Sequence, residues 1–238
     1  MLPVMSPVRI LLKRKPVRRA ETNQMVGEND RISSFINSLD AGNLPFLDEL
    51  ERKALQDEVP IIRKDTQALL KFLMAQSHPK NILEVGCAVG FSALLMAAYT
   101  DADTKITTIE KFEKRIPVAR ENFSKYDNEG KITLLEGDAT DILKGLDPGY
   151  DFIFMDAAKG QYINFLPDCL RILDKGGLLV SDNVLQDGDV FESRFAVTRR
   201  NRTIHARMRE YLYELKHNDQ LNTVILTVGD GMTLSVKL

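Results

Sequence analysis

Two stretches of this 238-residue chain carry an apolar run into an acid. In Asp151-Phe-Ile-Phe-Met-Asp156-Ala-Ala-Lys159-Gly-Gln-Tyr162 a short buried strand, Phe152 to Met155, ends at Asp156, and Lys159 follows three residues on. In Gly177-Leu-Leu-Val-Ser181-Asp182-Asn183 a second apolar run ends in Asp182 and Asn183. Two carboxylates and an amide oxygen make a hard, all-oxygen set suited to Mg²⁺ or Ca²⁺. A lysine beside them is placed for proton transfer. Asp at a strand end is also an ordinary turn or helix-cap residue. Neither acid carries the chemistry alone, which requires a fold that brings both strand ends together. His78, His205 and His217 have no metal-ligand spacing among them, so a zinc site is not expected.

The elements that must do the positioning alternate along the chain. Ile32, Phe35, Ile36 and Leu39 recur at helical spacing. Phe46, Leu47, Leu50 and Leu55 suggest a second helix, and Leu69, Leu70, Phe72 and Leu73 a third, capped near Asp65. Val59-Pro60-Ile61-Ile62 breaks the pattern between them. Strands are expected at Asn81–Val85, Lys105–Ile109, Ile132–Leu135, Phe152–Met155 and Gly177–Val180, with helices between them. A long helical segment is expected from Asn183 to about His217, then two strands joined by Gly229-Asp-Gly231 as an antiparallel hairpin. A βα series of this kind makes an α/β, mostly parallel sheet with helices on both faces. Ligands of such sheets bind outside the carboxyl ends of the strands, where both acids fall.

Three of those strand ends describe a second ligand. Glu84-Val-Gly86-Cys-Ala-Val-Gly90 is a glycine turn straight after a strand. It lacks the third glycine of the dinucleotide fingerprint and the Lys-Ser/Thr of a phosphate-binding loop. It still lets a ligand approach the backbone closely. Ser92 offers a hydroxyl near a helix start, where a carboxylate is favoured. Glu110, ending the second strand, is placed to accept from both hydroxyls of a ribose. Asp138, after the third, is placed to accept from an adenine amino group, with Ala139 donating its backbone N–H. An adenosine with an amino-acid tail satisfies all of these, which points to S-adenosylmethionine (SAM). An NAD-dependent oxidoreductase is disfavoured.

Composition bounds the rest. With 44% hydrophobic and 28% charged residues the chain is ordinary for a globular protein. No apolar run approaches the ~20 residues a membrane-spanning helix needs. Two cysteines, Cys87 and Cys169, are too few for a disulfide scaffold, so a reducing, cytoplasmic setting is the expectation. The net charge of −2 hides a basic N-terminal tail. Residues 1–24 hold six cations against Glu21, a net +5, leaving −7 on residues 25–238. That tail reads either as an amphipathic or nucleic-acid-binding arm or as a start placed too early, since Met25-Val-Gly-Glu-Asn-Asp-Arg opens like a natural beginning. Residues 25–238 are expected to form one domain.

Taken in order, Glu-Val-Gly-x-x-x-Gly, Ile-Glu110, Gly-Asp138-Ala, Asp156-x-x-Lys159-x-x-Tyr162, Asp182-Asn183 and Gly229-Asp-Gly resemble the cation-dependent O-methyltransferases of the catechol and caffeoyl-CoA type. The longer strings Asp156-Ala-Ala-Lys-Gly-Gln-Tyr162 and Asp182-Asn-Val-Leu185 look most like a bacterial branch that methylates 5-hydroxyuridine in tRNA. The resemblance implies a Rossmann-like class I methyltransferase domain: a seven-stranded, mostly parallel sheet with an antiparallel C-terminal hairpin and N-terminal cover helices, usually in a homodimer. It implies that Asp156, Asp182 and Asn183 hold Mg²⁺ or another divalent cation. It makes Lys159 the general base, with Asp156 also at the reacting centre, and places Ile62, Gly86, Ser92, Glu110, Asp138, Ala139 and Asp156 around SAM. The chain has no Trp, which departs from the aromatic wall of catechol enzymes. Arg194, Arg199, Arg200, Arg202, Arg207, Arg209 and Lys216 against Glu210 and Glu214 make a basic stretch that suits a tRNA anticodon loop. The same stretch also suits a solvated helix face. A single-stranded wobble base can be splayed into a pocket, with Tyr162 either stacking on it or packed in the core.

Overall fold

The computed structural model describes residues 31–238, so the basic tail lies outside the described residues. The chain divides into two compact units, Met1–Asp40 and Ala41–Leu238. In the first, the described residues are helical over 31–38, where the apolar spacing placed a helix.

The second unit is built on one seven-stranded sheet of order β3-β2-β1-β4-β5-β7-β6. Its strands are β1 (Asn81–Val85), β2 (Lys105–Glu110), β3 (Ile132–Glu136), β4 (Tyr150–Met155), β5 (Leu173–Ser181), β6 (Leu221–Leu226) and β7 (Met232–Lys237). The five strands β1 to β5 are mutually parallel, and β7 runs antiparallel to both β5 and β6. Before the sheet come α1 (Pro45–Gln56) and α2 (Lys64–Ser77). Between strands lie α3 (Phe91–Ala98), α4 (Ile116–Tyr126), α5 (Ala139–Gly145) and α6 (Tyr162–Ile172), and α7 (Arg202–His217) precedes the hairpin.

The two-residue period of β4 sorts the core into two layers. Phe152 and Phe154 pack on one face with Leu47, Leu70, Phe91 and Leu95 from α1, α2 and α3. Ile153 and Met155 pack on the other with Tyr162, Phe165, Tyr211 and Leu215 from α6 and α7. All four β4 side chains are fully buried, so truncating either phenylalanine to alanine costs about 3–5 kcal/mol. Register then sets the site. Val85 lies beside Ile109 and Met155, Met155 beside Ser181, and Glu110 beside Glu136. The residues that follow each strand therefore emerge along one edge. β1 sits between β2 and β4, the point where successive connections diverge and open a crevice.

Two local expectations fail. Asp65 is not the cap of α2: Arg63 precedes the helix, and Asp65 Oδ2 instead accepts the Gly229 N–H at 2.8 Å. The segment after Asn183 is not one helix. A 3₁₀ stretch at Gln186–Phe191 is broken at Asp187 and Gly188, and regular helix starts only at Arg202.

Candidate functional site

A cavity of about 640 Å³ opens at the carboxyl edge of the sheet. Every residue expected at the site except Asp182 lines it: Ile62, Gly86, Ser92, Glu110, Asp138, Ala139, Asp156, Lys159 and Asn183. Asp182 is buried next to it.

On the β1–β2–β3 side, the chain leaves β1 at Gly86 with φ +96°, and a Cβ there would fall 2.3 Å from the Asp156 carbonyl oxygen. Glycine is required, because the turn presses against the start of the β4 loop. Glu110 is held by backbone donors on both oxygens. Oε2 accepts from Ala88 N–H at 2.8 Å, and Oε1 accepts from Lys111 N–H at 2.9 Å and Phe112 N–H at 2.8 Å. The carboxylate is thus fixed at the rim with lone pairs left for a ligand. Asp138 is the cap of α5. Its Oδ1 accepts Thr140 N–H at 2.8 Å, its Oδ2 meets Lys111 Nζ at 3.2 Å, and these hydrogen bonds hold its pKa down at about 2. The cap and the ligand-facing acid are one residue here. Glu84, noted in the sequence only as part of a glycine motif, is fully buried behind Ser92. Burial pushes its pKa up to about 8, partly offset by the Ser92 and Thr108 hydroxyls.

On the β4–β5 side, Asp156 and Asp182 are tied to the neighbouring strands through their own N–H groups, to Val85 O and Met155 O, both at 3.0 Å. Burial pushes Asp156 up to about 6, with Lys159 and Arg115 pulling the other way. Burial pushes Asp182 up to about 7, and the Asp156 charge adds to this. Burial and, at Asp182, the neighbouring Asp156 charge both disfavour ionising the pair together. Asn183 adopts φ +55°, which Asn tolerates better than most residues, and donates its N–H to Asp182 Oδ1 at 2.7 Å. Among the described residues no three His, Cys, Asp or Glu side chains gather into a metal cluster. The donor set of two acids and one amide nevertheless has the oxygen chemistry that fits a hard divalent cation.

Lys159 begins a 3₁₀ turn, Lys159–Gln161, and points its Nζ at Asp230 Oδ2, 3.4 Å away. Sequence reasoning missed Asp230, because Gly229-Asp-Gly231 reads first as a hairpin turn. It also missed Arg115 and Phe112, which line the cavity with a cation–π contact of 5.4 Å between them. Tyr162 does not stack on a ligand. It is fully buried, donates to the Met155 and Asp182 carbonyls at 3.2 and 3.1 Å, and meets Tyr211 edge-on. The basic stretch divides. Arg202, Arg207, Arg209 and Lys216 spend hydrogen bonds on the carbonyls of Val197, Gly160, Val190 and Thr223. Arg194, Arg199 and Arg200 remain exposed.

Known proteins resemble this chain in sequence and fold. The sequence profile described as O-methyltransferase matches residues 36–238. The chain is 32% identical over 184 residues to caffeoyl-CoA O-methyltransferase 2 of Populus trichocarpa, covering 71% of this chain and 72% of the relative. It is 29% identical over 170 residues to a catechol O-methyltransferase of Niastella koreensis, covering 69% and 71%. The SAH-bound crystal structure of the Podospora anserina methyltransferase PaMTH1 superposes with a TM-score of 0.79 at 26% identity, covering 95% of this chain and all of that one. The profile match spans the sheet, the glycine turn and both acid-bearing strand ends, and the chain belongs to the O-methyltransferase family.

Proposed function

We propose that this O-methyltransferase takes the methyl group of SAM and places it on the 5-hydroxyl of 5-hydroxyuridine at the wobble position of tRNA, with Mg²⁺ or another divalent cation. Cofactor use is supported by family membership and by the SAH-bound relative. The cavity supplies a fixed acceptor at Glu110, a capping acid at Asp138, and a glycine turn close enough for backbone contact.

Asp156, Asp182 and Asn183 would hold the cation. It would supply Lewis acidity, lowering the pKa of a hydroxyl beside a second oxygen and fixing its orientation. Lys159, on the cavity wall, takes the hydroxyl proton. The acceptor oxygen then forms a bond to the methyl carbon as the carbon–sulfur bond breaks, and S-adenosylhomocysteine leaves. Most of the gain comes from holding the two reactants in line.

The observation that carries the tRNA reading is the segment following Asn183. Phe191 and Phe195 are 65% and 88% exposed, and Arg194, Arg199 and Arg200 stand exposed among them. Exposed aromatics interleaved with arginines suit stacked bases and phosphates of a single-stranded loop. A second reading, a small catechol or an acyl-CoA as acceptor, is favoured by the named activities of the relatives. Both acceptors present neighbouring oxygens, so the acid set does not separate them. Nucleoside mass spectrometry of tRNA from a deletion strain does. Loss of 5-methoxyuridine with accumulation of 5-hydroxyuridine supports the tRNA reading. An unchanged profile, with catechol methylated by the pure protein, supports the other.

A further inference from the structure

SAM carries one anion, the carboxylate of its amino-acid tail, and the wall of the large cavity is rich in acids. Glu110, Asp138 and Asp156 all line it. Three cations line it as well, Lys111, Arg115 and Lys159. Two of these are occupied: Lys111 Nζ is 3.2 Å from Asp138 Oδ2, and Lys159 Nζ is 3.4 Å from Asp230 Oδ2. Arg115 is not. Its guanidinium lies over the Phe112 ring, 5.4 Å from the centroid, and among the described residues it has no hydrogen-bond or ion-pair partner. A guanidinium presents five N–H donors in a rigid fork that matches a carboxylate. Half-buried and stacked on Phe112, it has less room to swing than a free surface arginine, while its donors stay unspent.

Position selects the carboxylate end of the ligand. Arg115 immediately precedes α4, and it also lines a smaller cavity of about 150 Å³ with Val59 and Val89. Val59 leads into Pro60, Ile61 and Ile62, which line the large cavity, and Val89 leads into Gly90, the residue before α3. No side chain caps α3, and Phe91 and Ser92 of its first turn line the large cavity. An uncapped helix start favours an anion, and Arg115 approaches that same end of the cavity through Val89. Its charge is also felt at Asp156, which it pulls toward the ionised form.

We propose that Arg115 binds the carboxylate of the SAM tail, together with the start of α3, and so selects a cofactor whose amino-acid end is intact. The proposal rests on the large cavity being the SAM site, and on neither the identity of the acceptor nor the cation.

The test compares two ligands by calorimetry: S-adenosylhomocysteine and its decarboxylated analogue, which keeps the adenosine, the thioether and the amine. The parent should bind the first at least about tenfold more tightly. In Arg115→Met the dissociation constant for S-adenosylhomocysteine should rise at least about tenfold. That for the analogue should stay the same or fall, since a charge like that of its amine has been removed. Arg115→Lys should keep part of the preference, as a point charge without the fork. Equal losses for the two ligands would overturn the proposal and make Arg115 a packing residue, and an unchanged affinity for S-adenosylhomocysteine would do the same. If Arg115→Met does not fold, Arg115→Gln carries the comparison, and an undiminished preference for the carboxylate there rules the proposal out. Failure of the parent to bind S-adenosylhomocysteine at all would sink the cofactor reading itself, and this proposal with it.

Discussion

Glu84 shows what a single buried acid costs this fold. Its Oε2 accepts the Thr108 hydroxyl, and its Oε1 has no hydrogen-bond partner. With its pKa pushed from 4.5 up to about 8, the folded chain holds a proton there that the unfolded chain releases. A raised carboxylate pKa contributes stability that is complete below about 4.5 and is lost as pH rises through about 8. Glu84→Gln keeps the Thr108 contact and removes the titration. Its stability relative to the parent should therefore rise between pH 5 and pH 9, by up to about 4 kcal/mol; chemical denaturation at the two pH values measures this, and a constant difference contradicts it. The acids that face the cavity were legible as strand-ending Asp and Glu, because termination of an apolar run is a local signal. Asp230 was not, since its contact with Lys159 joins residues 71 apart in sequence. Asp182→Ala should lower kcat at least about a hundredfold while SAM binding, followed by calorimetry, stays nearly unchanged. Undiminished turnover would remove Asp182 from the cation set.

At the level of elements, the connections after β3 and β5 behave differently. The turn after β3 was readable because Asp138 is both strand end and helix cap, one residue with one local geometry. Asp138→Ala should cost about 1 kcal/mol through the lost cap. Asp138→Asn keeps a capping oxygen, so a weaker SAM dissociation constant in that variant, without a matching loss of stability, reports the cofactor contact alone. Equal SAM affinity in Asp138→Asn and the parent would place adenine recognition elsewhere. The segment after β5 misled the eye because its apolar and basic residues continue at near-helical spacing. The backbone at Gln186, Asp187 and Gly188 turns left-handed, and the Asp187 N–H goes to Asp230, the Gly188 N–H to the Leu185 carbonyl and the Val190 carbonyl to Arg209 rather than to a helix ladder. Arg63 Nη2 meets Asp187 Oδ1 at 3.0 Å, so the same turn is also joined to the segment that follows Ile62. That ion pair is solvent-exposed at both ends and adds little stability by itself.

At the level of the sheet-bearing unit, the order β3-β2-β1-β4-β5 places five strand ends along one edge, and the antiparallel β7 brings Gly229-Asp-Gly231 back to it. The parallel βα series and the closing hairpin were legible from pattern. The division of the basic stretch was not, because a sequence does not show which arginines are already occupied by carbonyls. Only Arg194, Arg199 and Arg200 stand exposed in that stretch ahead of α7. Charge reversal at Arg199 and Arg200 should weaken tRNA binding and make log K less steep against log salt by about one unit per lost phosphate contact. A filter-binding titration across salt concentrations measures this, and an unchanged slope would mean those arginines do not meet RNA.

The most direct test is methyl transfer by the purified protein to tRNA carrying 5-hydroxyuridine, with SAM and Mg²⁺, read by nucleoside mass spectrometry with and without a chelator. Conversion to 5-methoxyuridine that stops in the chelator and returns with Mg²⁺ is the predicted result. Undiminished conversion in the chelator would contradict a cation held by Asp156, Asp182 and Asn183, and no conversion under any condition would contradict the tRNA acceptor.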